Sequence, residues 1–472
     1  MNSFTMNHLL TPKNRVFFLF FLLFSVFPFC PDVFSDEYEN RYLPAPGKSL
    51  TATLFRKHAD NVVYVTGVNV QPEKNEIGDF FVTEKKKEEE MTVGTGFIIH
   101  PAGYVLTNAH SVMRSVIPVV ELRNGSQYEA EVISLQKNQD LALVKISAKE
   151  TLSAVEFAGP EDAYAGDETM IIGAPHGLKY TLTRGIISAT GRAALLQDVP
   201  GVTLRNLLQT DAAINPGTSG GPWFDMRGKV LGITVSKRSE SDNIGFGISI
   251  HTLHQLLPEM LRAAVKFRFQ IGFTPELEIR EAEEGGAIRC LAASVEEHSP
   301  AAKAGLRAGD EIRAVDGKKV ETPLEFYLNL LGKEPETKMS LEIRRDAENL
   351  TLEFLPEKAA EPDVPAVIRR RLKMRVSPLS PEKIKESDLR TPTGVTVTEL
   401  DEAIYGKLES PPEVGDMLVS VNYQRPRNPE HLAKILENIP REHPMNLVFV
   451  NMKIKDGKKS YSRTDVRNLK VE

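Results

Sequence analysis

Between Asn61 and Ile250 the chain runs as a series of short apolar segments, each cut by glycine or a polar turn. "NVVYVTGV", "GTGFIIHP", "YVLTNAH", "LALVKI", "TMIIGAP", "RGIISATG", "KVLGITVS" and "IGFGISI" follow one another in this way. Runs of that length bounded by turn residues read as strands, and many of them in succession argue for an all-β barrel or sandwich. The charged stretch "EKKKEEE" at 84–90 breaks the series and reads as a solvated loop. After Ile250 the period changes: Leu253, Leu256, Leu257, Met260, Leu261 and Ala264 fall at helical spacing, so a helix closes the β region.

A chain of 472 residues has room for about three domains at roughly 100–200 residues each. The C-terminal half contains a weak repeat, in which "GDEIRAVDGKKVETPLEF" (309–326) matches "GDMLVSVNYQRPRNPEHL" (415–432) at constant offset. Each copy reads strand, turn, helix. "PEKAAEPDVPAV" between them is rich in proline and charge and reads as a linker. The expected division is 1–35 for export, 36–265 for the β domain, 266–358 for a first α+β domain, 359–370 for the linker and 371–472 for a second, divergent copy.

The export segment is read from Lys13 and Arg15 followed by an apolar run from Val16 to Cys30. This is short for a membrane span and typical of a secretory signal. Cleavage is expected after Ser35, the alternative being an uncleaved anchor. Cleavage leaves Cys290 alone, without a disulfide partner. The formal net charge of −6 carries no basic stripe of the kind nucleic acid needs, so no nucleic-acid partner is expected.

One loop raises the question of chemistry: "NPGTSGGP", residues 215–222. It is not a phosphate loop, because Pro222 stands where Lys would follow the last glycine. A serine nucleophile needs a base, a group to orient that base, and backbone N–H donors for the developing oxyanion. Ser219 would be the nucleophile, with the amides of Gly217 and Ser219 as donors. His110, at the end of "YVLTNAH", is the candidate base, and Asp140, opening "DLALVKI", the candidate orienter. Taken singly, the histidine reads as a structural hydrogen-bonder and the aspartate as a turn residue. Together they stand in the order His, Asp, Ser inside a β region, which is the order of chymotrypsin-type proteases.

"TGFIIHPAGYVLTNAHSV", "DLALVKI", "GAPHGLKYTLTRGIISATGR" and "TDAAINPGTSGGPWFD" resemble the successive signature blocks of the HtrA (Deg) family of serine endopeptidases. "SPAAKAGLRAGDEIRAVDGKKV" resembles the heart of the PDZ domain that follows in that family. The resemblance implies a mainly β fold: a chymotrypsin-like double β-barrel followed by two α+β PDZ domains. It implies His110 as general base, Asp140 as orienter, Ser219 as nucleophile, and an oxyanion hole at Gly217 and Ser219. Thr218 stands where the family usually has Asn. The family is ATP-independent, acts on unfolded proteins outside the cytoplasm, and forms homotrimers or larger assemblies. Its members carry a loop near 84–90 that can cross to a neighbouring subunit, and "GLKYTLTR" (177–184) resembles one that shapes the active site.

In chymotrypsin-like enzymes the residue six before the nucleophile floors the specificity pocket. Here it is Ala213, followed by Ile214, with Ile248 expected to line the same pocket. Such a floor implies cleavage after small or medium aliphatic residues. PDZ domains capture a peptide by strand addition, with the terminal carboxylate in a nest of backbone amides. In the first PDZ that loop is Gln270, Ile271, Gly272 and Phe273, with Gln270 where an aromatic residue is usual. In the second it reads "LKM" (372–374), with Lys373 in a glycine's place. That makes packing or assembly as good a role for this copy as peptide capture.

No nucleotide motif, no H-E-x-x-H and no paired Cys/His spacing appears, so no cofactor or metal is expected. His251 and His254 in "HTLH" read as surface and cap residues at the helix start. The expected function is a periplasmic or cell-envelope endopeptidase that degrades misfolded proteins. The alternatives are a regulatory protease making one cut in a signalling partner, and a PDZ-based chaperone or scaffold with little hydrolysis.

Overall fold

The computed structural model describes residues 49–69, 90–113, 118–195, 202–237, 243–280, 287–387, 393–408, 410–441, 443–455 and 458–470. The export segment and residues 84–89 of the charged stretch lie outside them. No helix among the described residues is long and apolar enough to cross a membrane.

Six antiparallel strands form a first closed barrel: β1 (Val62–Asn69), β2 (Glu90–His100), β3 (Tyr104–Thr107), β4 (Pro118–Glu121), β5 (Gln127–Gln136) and β6 (Leu141–Ile146). Their order around the barrel is β1-β2-β3-β6-β5-β4. β3 and β6 are apolar without alternation because both of their faces are buried. Val105, Ala142, Val144 and Ile146 share a core with Val63, Val65 and Ile98. The residues between them, Leu106, Leu141 and Leu143, point the other way and join the core of the second barrel.

The second barrel uses β7 (Glu156–Phe157), β8 (Glu168–Gly173), β9 (Thr181–Leu195), β10 (Thr203–Thr210), β11 (Pro222–Phe224), β12 (Lys229–Lys237) and β13 (Gly245–Ser249). The order is β11-β8-β9-β10-β13-β12, and pairing of β11 with β12 closes the ring, while β7 adds to β12 in parallel. Trp223 is wholly buried there, and its indole N–H donates to Thr234 Oγ1 at 2.9 Å.

The closing helix is Ile250–Val265, capped by Ser249 Oγ, which accepts from the Thr252 amide at 3.2 Å. Leu253, Leu257, Met260 and Leu261 are buried as the helical spacing implies, and Leu256 and Ala264 are half-buried. The two histidines at its start part company. His251 stays half-exposed and faces Glu161 at 3.1 Å. His254, expected at the surface, is 3% exposed because it shares the buried face with Leu253 and Leu257. Its Nε2 sits 2.8 Å from the Ala158 carbonyl, and burial lowers its pKa.

Two α+β units follow, each with a five-stranded path in chain order; the first adds the short strand Lys318–Lys319 off its path, and the second adds the helix Pro381–Ser387 between its first two strands. The repeat seen in the sequence is a repeat of geometry. Gly309 and Gly415 have φ of 91° and 99°, and their amides donate to Ala292 and Val397, both at 2.8 Å. Asp316 and Asn422 both lie in the left-handed region, and their side chains accept from the Ser340 and Asn446 amides at 2.7 Å. The first unit does not stand apart from the barrels. Its helix Pro323–Leu330 packs on the closing helix, and one hydrophobic core runs through both.

The segment expected as a linker is largely helical. Val364–Leu372 forms a helix whose Val367, Ile368 and Leu372 are buried in the core of the second unit. Asp363 caps it, accepting from the Ala366 amide at 3.1 Å. Cys290 lies in the core of the first unit, where burial raises its thiol pKa far above the usual range and leaves it chemically quiet.

Candidate active site

β3 ends at Thr107 and the chain turns into the short helix Ala109–Met113, which presents His110. Asp140 sits at the end of the 3₁₀ turn Lys137–Gln139, just before β6, with φ 53° and ψ 41°. Aspartate is among the few non-glycine residues that accept that conformation readily. Asn108 fixes it there by donating from Nδ2 to the Asp140 carbonyl at 2.9 Å.

Asp140 is fully buried, and both of its oxygens serve His110. Oδ1 accepts from the His110 amide at 3.0 Å, and Oδ2 lies 2.8 Å from the ring Nδ1. An ionised carboxylate only accepts, so Nδ1 carries the hydrogen and Nε2 presents a lone pair. The His110 side chain is 13% exposed, so the ring is held without being sealed off.

Ser219 lies in the loop between β10 and β11, half-buried, with its Oγ donating to the Val235 carbonyl at 3.0 Å. The loop needs glycine at 217, where φ is 96° and a Cβ would overlap the Ala174 carbonyl. Among the described residues, neither the Gly217 nor the Ser219 amide has an acceptor, whereas those of Thr218, Gly220 and Gly221 are all bonded. Thr218 is buried, its methyl against Gly173.

The histidine helix and the serine loop meet at β2. A Cβ on Gly94 would stand 2.6 Å from Ser111 Oγ and 3.5 Å from the Ser219 carbonyl. Next to it, the Thr95 amide donates to the Ser219 carbonyl at 2.8 Å. The structure therefore brings the neighbourhoods of His110, Asp140 and Ser219 together at the junction of the two barrels.

A trypsin-like peptidase domain matches residues 94–233, and a PDZ domain matches residues 230–355. A probable periplasmic serine endoprotease DegP-like of Chlamydia pneumoniae is 31% identical over 377 residues, covering 77% of this chain and 75% of that protein. The DegP-like protein of Chlamydia muridarum is 33% identical over 77% of this chain and 73% of its own length. The periplasmic serine endoprotease DegP of Salmonella typhimurium is 30% identical over 77% and 75%. The chain belongs to the HtrA (Deg) family of serine endopeptidases.

This HtrA-family chain keeps further residues around the loop that sequence reasoning passed over. Thr95 is one of them. Its Oγ1 donates to the Gly217 carbonyl at 2.7 Å and accepts from the Ala174 amide at 3.0 Å. Its own carbonyl accepts from Thr107 Oγ1 at 2.7 Å. Thr95 thus ties the glycine loop to the first barrel and to the end of β8. Thr95→Val keeps the shape and removes both hydroxyl bonds. The Ala174 amide, which is buried, loses its acceptor, a cost of about 1–3 kcal/mol. Because the loss falls on the loop carrying the candidate oxyanion amides, kcat is expected to drop about 10- to 100-fold with KM little changed. Thr95→Ser restores the hydroxyl and should recover most of the rate, and steady-state kinetics on a peptide substrate checks both.

The pocket residues divide. Ile214 lies in the serine loop, buried, and its side chain fills the space a Cβ on Gly245 would need. Ala213 is exposed. Ile248 faces Leu207 and Ile233 across the ladders and is 1% exposed, within the barrel core. Gly245, absent from the sequence reading, is the residue that meets Ile214.

In the PDZ loop, Gln270 is exposed and pairs with Glu357, and Ile271 is half-buried. Gly272 has φ 76°, and a Cβ there would overlap Ser299. Phe273 is buried against Phe326, ring centroids 5.2 Å apart. The equivalent loop of the second unit holds Lys373 in the same left-handed region, φ 50°. Asp401 donates its amide to the Lys373 carbonyl at 3.0 Å, as Glu296 does to Gly272 at 2.8 Å.

Proposed function

We propose that this endopeptidase degrades unfolded proteins in the periplasm, without ATP, through His110, Asp140 and Ser219. The observation that carries this reading is the short contact between His110 Nδ1 and a fully buried Asp140, beside a glycine-built serine loop. His110 Nε2 takes the Ser219 proton as Oγ attacks the scissile carbonyl, and returns it to the leaving amine. The hydroxyl gives up its bond to Val235 in that step. The amides of Gly217 and Ser219 receive the oxyanion, and water then hydrolyses the acyl-enzyme with His110 again as base. Asp140 holds the ring in the tautomer that leaves Nε2 able to accept.

Ala213 and Ile214 give the pocket an apolar character that favours small or medium aliphatic residues before the cut, while Ile248, expected there, supports it only from within the barrel core. The loop from Gln270 to Phe273 captures peptide or protein C-termini and feeds the protease. The working unit is a homotrimer or larger; light scattering that returned the mass of a single chain would rule this out. The test of function is digestion of unfolded casein alongside a tightly folded protein, without ATP. The expected result is cleavage of casein alone, with fragment ends after Ala, Val, Ile or Leu. Equal digestion of the folded protein, or ends dominated by Lys and Arg, overturns the reading.

A further inference from the structure

The first PDZ unit ends on one side in the strand Phe273–Arg280, which pairs with the strand Ala287–Val295. Among the described residues no strand pairs with its other edge. That edge adjoins the helix Pro323–Leu330 through the contact of Phe273 with Phe326. It is where a captured peptide would add as a strand.

Which backbone groups face that edge follows from the hydrogen bonds. The Ala292 amide donates to the Asp310 carbonyl at 2.9 Å, and the Ala292 carbonyl accepts from Gly309 at 2.8 Å. Both polar groups of Ala292 therefore turn away from the edge strand, and those of Leu291 turn toward it. Leu291 is opposite Glu276, so Glu276 faces inward and Pro275 faces the open edge. From the other end, the Gly272 carbonyl accepts from the Glu296 amide at 2.8 Å. Gly272 thus faces inward and Phe273 outward, and the alternation agrees. The outward positions are Phe273, Pro275 and Leu277. The middle one has no N–H, and its ring fills the place the hydrogen would occupy.

We infer that Pro275 is a register stop, so that this groove grips only the last residues of a peptide C-terminus and leaves the sequence upstream unread. This rests on the proposal that the unit captures C-termini. A terminal residue can pair in full with Phe273. The residue two positions upstream then lies opposite Pro275 and leaves its carbonyl without a donor. The ligand class is accordingly a short C-terminal end with an apolar last residue, which many damaged or unfolded chains can offer. A longer tail reaches Leu277 only across that unpaired step, so its length adds little affinity.

The test uses the full chain carrying Ser219→Ala, so that ligands survive, and labelled peptides of two, four and eight residues with a common apolar C-terminus. Affinity of the parent is expected to stay flat from four residues to eight. Pro275→Ala supplies one hydrogen bond and should tighten the four- and eight-residue peptides about 2- to 10-fold, leaving the two-residue peptide unchanged. Pro275→Val, whose branched side chain suits an edge strand, should do the same and guards against an unfolding artefact in the alanine variant. Variants that match the parent at every length overturn the inference. Failure of any peptide to bind parent or variants, with folding intact, overturns the capture reading and the register stop with it.

Discussion

Ser219→Ala is expected to reduce kcat on unfolded casein by roughly 10⁶ while leaving the fold and substrate binding in place. The separation follows from what each atom of Ser219 does. Its carbonyl, held by the Thr95 amide at 2.8 Å, and its own amide belong to the main chain and survive the substitution. Only Oγ is lost, with its bond to the Val235 carbonyl. One half-buried hydrogen bond is worth about 1 kcal/mol, too little to unfold a domain. The variant should therefore melt close to the parent, bind casein, and release no fragments above the residual rate that the oxyanion donors alone can support. Gel and mass-spectrometric assays over hours read the loss, and a thermal melt reads the fold. Fragments appearing at near-parental rate would show that the loop is a turn and that the nucleophile lies elsewhere.

The sequence carried the local parts of this site and missed the parts that exist only by long-range approach. The serine loop is legible because its glycines sit close together, and they do so because the backbone there must pass against Ala174 and Thr95. The strands of both barrels are legible from their turn-bounded apolar runs, although the β11–β12 pairing that closes the second barrel leaves no mark on either segment. Thr95 carries no signal of its own: it is one polar residue between two glycines, and its meaning comes from Gly217, 122 positions away. His254 was hidden for a related reason, since a histidine at a helix start reads as polar whichever face it occupies. In the helix Val364–Leu372, three arginines and two prolines nearby mask the spacing of Val367, Ile368 and Leu372. Arg369 and Arg370 lie on the solvent face, Arg371 is buried and donates to the Ile439 carbonyl at 2.9 Å, and the three apolar residues determine where the helix goes.

Asp140→Asn is expected to lower kcat by about 10⁴ without moving the backbone, the effect a tautomer reversal produces in a triad of this kind. The left-handed φ of 53° suits asparagine as well as aspartate. The Asn108 bond goes to the position 140 carbonyl and is untouched. The amide oxygen can still accept from the His110 main-chain N–H, which places its NH₂ toward Nδ1. An NH₂ group donates, so Nδ1 must become the acceptor and the ring hydrogen moves to Nε2. The proposed base then points a hydrogen at the serine that the proposed mechanism has it deprotonate. Asp140→Ala would confound this result, because alanine also loses the tolerance for that φ and the ring would be unheld as well as mistautomerised. The measurement is kcat for the asparagine variant with a thermal melt as control, alongside ¹⁵N shifts of the His110 ring to locate the hydrogen. A rate within tenfold of the parent, with the hydrogen shown on Nε2, would mean that His110 is not the base and that Asp140 does no more than shape the turn before β6.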